Sequence, residues 1–172
     1  MQAQTNIYLV GMMGCGKTTV ARALAEQLGR RFFDTDEEIT RLAGRDISDI
    51  FNTDGEGVFR HQEGRVIRGL SAMHNLVSAL GGGAMGREVN RARLSVSGTI
   101  IWLDFPVNVL LKRLEDAQDR PLLAGHDETE KHNILCRLWE ARQHDYAHAH
   151  IHLKFNQETS VMAIVSQILK KL

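Results

Sequence analysis

The chain is poor in the residues that staple, kink or anchor a protein. Its 172 residues hold only two cysteines, Cys15 and Cys136, and two prolines. One pair of thiols cannot build a disulfide framework, and such sparing use of cysteine suits a reducing compartment, so a cytoplasmic location is expected. Long hydrophobic runs are missing as well. None approaches the ~18–20 apolar residues of a membrane-spanning helix, and residues 1–6 lack the charged start and apolar stretch of a secretory signal. Neither sign of charge is in excess, with 21 Lys+Arg against 21 Asp+Glu. A protein that coats nucleic acid needs a basic surplus to displace counterions, so neither nucleic acid nor membrane is expected as a partner. Sustained heptads are also lacking, which leaves a monomer as the expectation.

What is present is the material of one globular domain. Hydrophobic residues make up 43% of the chain and charged residues 24%, enough apolar surface at this length to offset chain entropy. No composition break or repeat divides residues 1–172, so they are read as a single domain. Short apolar runs alternate with amphipathic stretches. Ile7-Tyr8-Leu9-Val10, Phe32-Phe33, Leu76 to Leu80, Thr99 to Leu103 and the alternating Ile151-Leu153-Phe155 read as strands. Helices are expected from Lys17 to Leu28, through Ile39 and Leu42, around Ile47 to Phe51, and from Val58 to Leu70. Further helices should follow Pro106, run up to about His144, and close the chain from Thr159 to Leu172. This alternation implies a central, mostly parallel five-stranded sheet between helical layers, a three-layer α/β/α fold.

Gly11-Met12-Met13-Gly14-Cys15-Gly16-Lys17-Thr18 matches G-x-x-x-x-G-K-[ST] between a predicted strand and a predicted helix. Glycines let successive N–H groups turn inward on phosphate oxygens, and the helix offers its free donors and positive dipole end to the same anion. Lys17 reaches the outer phosphates, and the Thr18 hydroxyl suits the Mg2+ that travels with ATP. Cys15 reads as a small loop residue.

In open α/β sheets, ligands bind beyond the carboxyl ends of the strands. Asp34 and Asp36 close the second strand, one placed to hold the metal's waters and the other an acceptor hydroxyl; either also serves as a helix cap. Gly81-Gly82-Gly83 is entropically costly unless something approaches the main chain closely. Asp119-Arg120-Pro121-Leu122-Leu123 lies in a polar stretch suited to closing over a nucleotide. Arg60 and Arg142 are cations whose convergence sequence alone does not show. Asp104, after a hydrophobic strand, is disfavoured as metal residue because Asp34 already offers a carboxylate. His148, His150 and His152 read as a solvent-facing strand edge, being too spread for a tetrahedral zinc site.

Taken in order, 11–19, Phe-Asp-Thr-Asp (33–36), Gly-Val-Phe-Arg (57–60) with Glu63, Gly-Gly-Gly (81–83), Arg-Pro-Leu-Leu (120–123) and Arg142 with Tyr146 resemble the shikimate kinase family over nearly the whole chain. The resemblance implies a P-loop kinase fold with a mobile lid at about 116–129, and ATP-dependent phosphorylation of the 3-hydroxyl of shikimate in the synthesis of chorismate and aromatic amino acids. Lys17, Asp36 and Arg120 would be catalytic. ATP would meet Gly14, Cys15, Gly16, Lys17, Thr18, Thr19, Arg113, Arg120 and Gln157. Shikimate would meet Asp36, Arg60, Gly81, Gly82, Gly83 and Arg142, with Arg137 as the alternative to Arg142. Mg2+ would sit on Thr18 and, through water, on Asp34. Two other readings share the phosphate loop: another small-molecule kinase such as a gluconate kinase, and a catalytically silent nucleotide-binding domain.

Overall fold

The computed structural model describes residues 5–114, 123 and 125–172. Five strands, β1 (Asn6–Val10), β2 (Arg31–Asp34), β3 (Leu76–Ala79), β4 (Gly98–Asp104) and β5 (Ile151–Lys154), form one sheet in the order β2-β3-β1-β4-β5. Every neighbouring pair is parallel, from Ile7 beside Val77 to Leu103 beside Leu153, so the sheet is wholly rather than mostly parallel. Parallel neighbours need long crossovers, and the helices supply them. Side chains alternate between the faces of a strand, yet all five residues of β1 are buried. Helices therefore cover both faces, which is the three-layer α/β/α arrangement of a P-loop kinase.

Helix α1 (Lys17–Leu28) buries Val20, Ala21, Leu24 and Ala25, and packs against β3 and the C-terminal α7 (Val161–Leu169). It ends where Gly29 turns left-handed (φ 63°) and donates back to the last turn. Asp34 caps α2 (Thr35–Ala43) by accepting from the Asp36 N–H. The two helices expected at 47–51 and 58–70 are both present, joined as α3 (Ile47–Ser71) across a kink at Gly55 (φ 83°, ψ 169°). A 3-10 turn at Ala84–Gly86 and α4 (Glu88–Ser97) have no counterpart in the sequence reading. Only Asn90 and Leu94 of α4 are buried, so its apolar periodicity is too thin to read.

Helix α5 (Val107–Arg113) follows Pro106, and α6 (Glu128–Tyr146) begins at a reciprocal cap between Asp127 and Glu130. The expected lid at 116–129 thus overlaps the start of α6, while Arg120, Pro121 and Leu122 lie outside the described residues. Among the described residues, no helix is long and apolar enough to cross a membrane.

Candidate active site

The phosphate loop joins β1 to α1 as a left-handed turn: Gly14 and Gly16 sit at φ 79° and 88°, a backbone that a side chain would strain. Cys15 between them is fully buried and belongs to the core. Lys17 Nζ donates to the carbonyls of Gly11 and Met12 at 3.0 Å each and lies 3.9 Å from Cys15 Sγ. The Thr18 hydroxyl donates to Asp34 at 2.7 Å, while the other oxygen of Asp34 accepts from Asp36 N–H at 2.9 Å. Asp34 is thus helix cap and partner of Thr18 at once.

The glycine triplet after β3 explains itself through its neighbours. A Cβ on Gly81 would lie 2.6 Å from an Asp36 carboxylate oxygen, one on Gly82 would lie 2.9 Å from the Arg142 guanidinium, and one on Gly83 would strike the guanidinium of Arg60. Each glycine makes room for one of the three side chains expected to hold the acceptor. The requirement here is space, since none of the three has a left-handed φ.

Arg60 donates to both oxygens of Glu63 (3.2 and 3.0 Å) and to Glu56 (3.2 and 3.1 Å) one turn away on α3. Burial works against the Arg60 charge, but Glu63 and then Glu56 outweigh it and hold the guanidinium above its ordinary value. Glu63 is wholly buried. Burial pushes its carboxyl up, Arg60 opposes this, Asp36 adds to it as a like charge, and Arg142 opposes again. The four groups therefore share one electrostatic environment.

A cleft of about 890 Å³ gathers these parts, a size suited to small-molecule ligands. Gly14, Gly16, Lys17, Thr18, Thr19 and Asp34 line it together with Asp36, Arg60, Gly81, Gly82, Gly83, Arg113 and Arg142. Ile47, Phe51, Phe59 and Leu138 supply apolar wall, and Phe51 packs on Phe59 at 4.6 Å between ring centroids. Arg142, not Arg137, borders the cleft. Arg113 stacks over Phe105 at 4.3 Å, donates to the Gly14 carbonyl at 3.2 Å and is gripped by Glu158 at 2.6–3.0 Å.

Some expected residues stand elsewhere. Gln157 is exposed on the loop after β5 and does not line the cleft, although its neighbour Glu158 holds Arg113. Asp104 is outside the cleft and pairs with His152 at 2.9 Å. The histidines do face solvent, yet two are tied down: His152 stacks on Trp102 at 4.0 Å, and His150 accepts from Ile100 N–H. His148 lies in the turn before β5.

Sequence reasoning assigned no role to Glu63, Glu56, Phe51 or Glu158. The i, i+3 spacing of Arg60 and Glu63 on one helix was the available signal for the first. Nothing local announces that Glu158 meets Arg113, 45 residues earlier.

The shikimate kinase family model matches residues 13–172. A shikimate kinase of Thermosynechococcus vestitus is 42% identical over 97% of this chain and 89% of its own length. One from Persephonella marina is 40% identical, over 97% and 98%. The solved structure of shikimate kinase from Acinetobacter baumannii in complex with shikimate superposes with a TM-score of 0.91 at 39% identity, covering 98% of this chain and 92% of that one. With motif order, cleft and full-length likeness in agreement, the chain belongs to the shikimate kinase family.

Proposed function

We propose that the cleft transfers the γ-phosphoryl group of ATP to the 3-hydroxyl of shikimate, giving shikimate 3-phosphate and ADP. The observation that carries this reading is the convergence of Asp36, Arg60 and Arg142 on the glycine triplet, beside Lys17 and Thr18 in one cleft. Shikimate is a ring with three hydroxyls and a carboxylate. Arg60 and Arg142 provide guanidinium groups for that carboxylate, and Asp36 accepts from a ring hydroxyl. Backbone N–H groups of residues 14–19 and the Lys17 ammonium receive the phosphates. Arg113 borders the adenine end of the nucleotide.

Phosphoryl transfer passes through a loose transition state, so positioning and charge stabilisation outweigh strong base catalysis. Asp36 orients the attacking hydroxyl and takes its proton as the O–P bond forms. Lys17 stabilises charge on the transferred group and on the departing ADP oxygen. Arg120 would add a further cation to the transferring phosphoryl group.

An ATP-using kinase calls for a metal ion, and the donors present fit Mg2+. Thr18 and Asp34 bring a hydroxyl and a carboxylate together at 2.7 Å, both hard oxygen donors. Among the described residues, no group of three or more His, Cys, Asp or Glu could cage an ion by itself. Mg2+ characteristically keeps waters and substrate phosphates as ligands in such a setting. When bound, it neutralises charge on the β- and γ-phosphate oxygens. The chain works as a cytoplasmic monomer with two small-molecule substrates and has no nucleic-acid or membrane partner.

Coupled measurement of ADP release tests the reading against shikimate, gluconate and a nucleoside monophosphate. Shikimate alone should stimulate release. No stimulation by shikimate overturns it, and stimulation by gluconate instead selects the other kinase reading. ATP binding without turnover selects the silent domain.

A further inference from the structure

Tyr146 is the last residue of α6 and is about 1% exposed. It is not among the residues that line the cleft. Its hydroxyl nevertheless donates to the Gly82 carbonyl at 2.6 Å. The guanidinium of Arg142 lies one helical turn earlier on the same face of α6. Gly82 independently reports this crowding: a Cβ there would lie 2.9 Å from Arg142 Nη1 and 3.7 Å from the Tyr146 hydroxyl. The ring is braced by Trp102 of β4, 5.6 Å away between centroids.

From this geometry we infer that Tyr146 is a positioning residue for the acceptor, one hydroxyl that sets both the Arg142 guanidinium and the Gly82–Gly83 peptide. The inference rests on the reading that this cleft takes shikimate. Three glycines in a row place no side-chain barrier on rotation of their peptide planes. A peptide plane is rigid, so holding the Gly82 carbonyl also fixes the direction of the Gly83 N–H. The phenol donates to that carbonyl, and its oxygen keeps acceptor capacity for the Arg142 guanidinium that crowds the same glycine. Burial pushes the phenol far up, and although Arg142 opposes this, the hydroxyl keeps its proton and its role as donor. Two elements of the acceptor site are thus coupled through an atom that belongs to neither.

The test is steady-state kinetics on the full chain, wild type beside Tyr146→Phe, which removes one oxygen and keeps the ring. The KM for shikimate should rise roughly five- to tenfold, the loss of one well-made hydrogen-bond bridge. The KM for ATP should stay within about twofold. Wild-type preference for shikimate over its uncharged methyl ester should shrink by a similar factor, because Arg142 is no longer held. Unchanged KM values, or an equal rise in both with a loss of thermal stability, would overturn the inference in favour of a merely structural tyrosine.

A measurement on unsubstituted protein covers the case in which the variant does not fold. The chain has two tyrosines, Tyr8 and Tyr146, so 3-fluorotyrosine labelling gives two 19F signals, assigned with Tyr8→Phe. The Tyr146 signal should move on addition of shikimate and not of ADP; a stationary signal contradicts the inference. If wild type releases no ADP with shikimate, the functional reading fails and takes the inference with it. Turnover by wild type with an unmoved KM in the variant removes the inference alone.

Discussion

At the N-terminal end of the strands, the Asn6 side chain donates to Tyr8 at 2.9 Å and to the Met73 carbonyl at 2.8 Å, and accepts from Leu76 N–H at 3.3 Å. Tyr8 in turn shares a 2.8 Å bond with Ser97. At the C-terminal end of the same sheet, Asp36, Glu63, Arg60 and Arg142 crowd three glycines, with the Asp36 carboxylate adding to the cost of ionising Glu63. Both ends carry polar groups on a buried frame. At the first end, neutral groups satisfy one another and tie β1 to β3 and to the segment after α3. At the second, charges of both signs are held in near balance, an arrangement that suits the reception of two anionic ligands. Buried polarity spent on itself yields stability, whereas charge kept in tension yields a site.

Substitutions should therefore separate cleanly between the two ends. The largest effect belongs to the site: Asp36→Asn or Lys17→Ala should lower kcat/KM for shikimate by roughly 10²–10³-fold, with thermal unfolding almost unmoved. A comparable fall in Tm would show that the two ends are not separate. Asn6→Ala should do the reverse, costing about 1–3 kcal/mol by orphaning buried partners, read as a lowered Tm with kcat unchanged per folded molecule.

Gly83→Ala comes next. Its Cβ meets the far end of a long side chain, so Arg60 gives way while the backbone stays. A rise of roughly tenfold in the KM for shikimate is expected, with little loss of stability. The smallest effect concerns pH. Burial raises the Glu63 carboxyl in the native state, so the folded protein keeps that proton to higher pH than the unfolded chain. Its contribution favours folding below the ordinary carboxylate range and is lost as pH rises through the raised value. The stability of wild type relative to Glu63→Gln should accordingly fall as pH rises above the ordinary carboxylate range; a rising difference would reverse the sign of the argument.

Much of this was legible in the sequence because it depends on local rules. The phosphate loop between strand and helix, the Asp34 cap and the five apolar runs follow from backbone conformation and periodicity. The helix α4 was not legible, since two buried positions in ten residues leave no pattern. Gly81-Gly82-Gly83 pointed to close approach, but the sequence could not say that each glycine accommodates a different side chain from α2, α3 and α6. Those contacts join residues tens of positions apart, and only the folded sheet brings them together. The same reason hid the Arg113–Glu158 pair and left Arg60 and Arg142 looking like ordinary surface cations.

The central claim is that Arg60 and Arg142 meet the acceptor's carboxylate while Asp36 meets its hydroxyl. A crystal structure with ADP and shikimate bound tests it most directly. The account predicts both guanidinium groups within hydrogen-bond distance of the shikimate carboxylate, the 3-hydroxyl on Asp36, and the β-phosphate of ADP in the loop of residues 14–19. Shikimate seated elsewhere, or bound with its carboxylate away from both arginines, would contradict it.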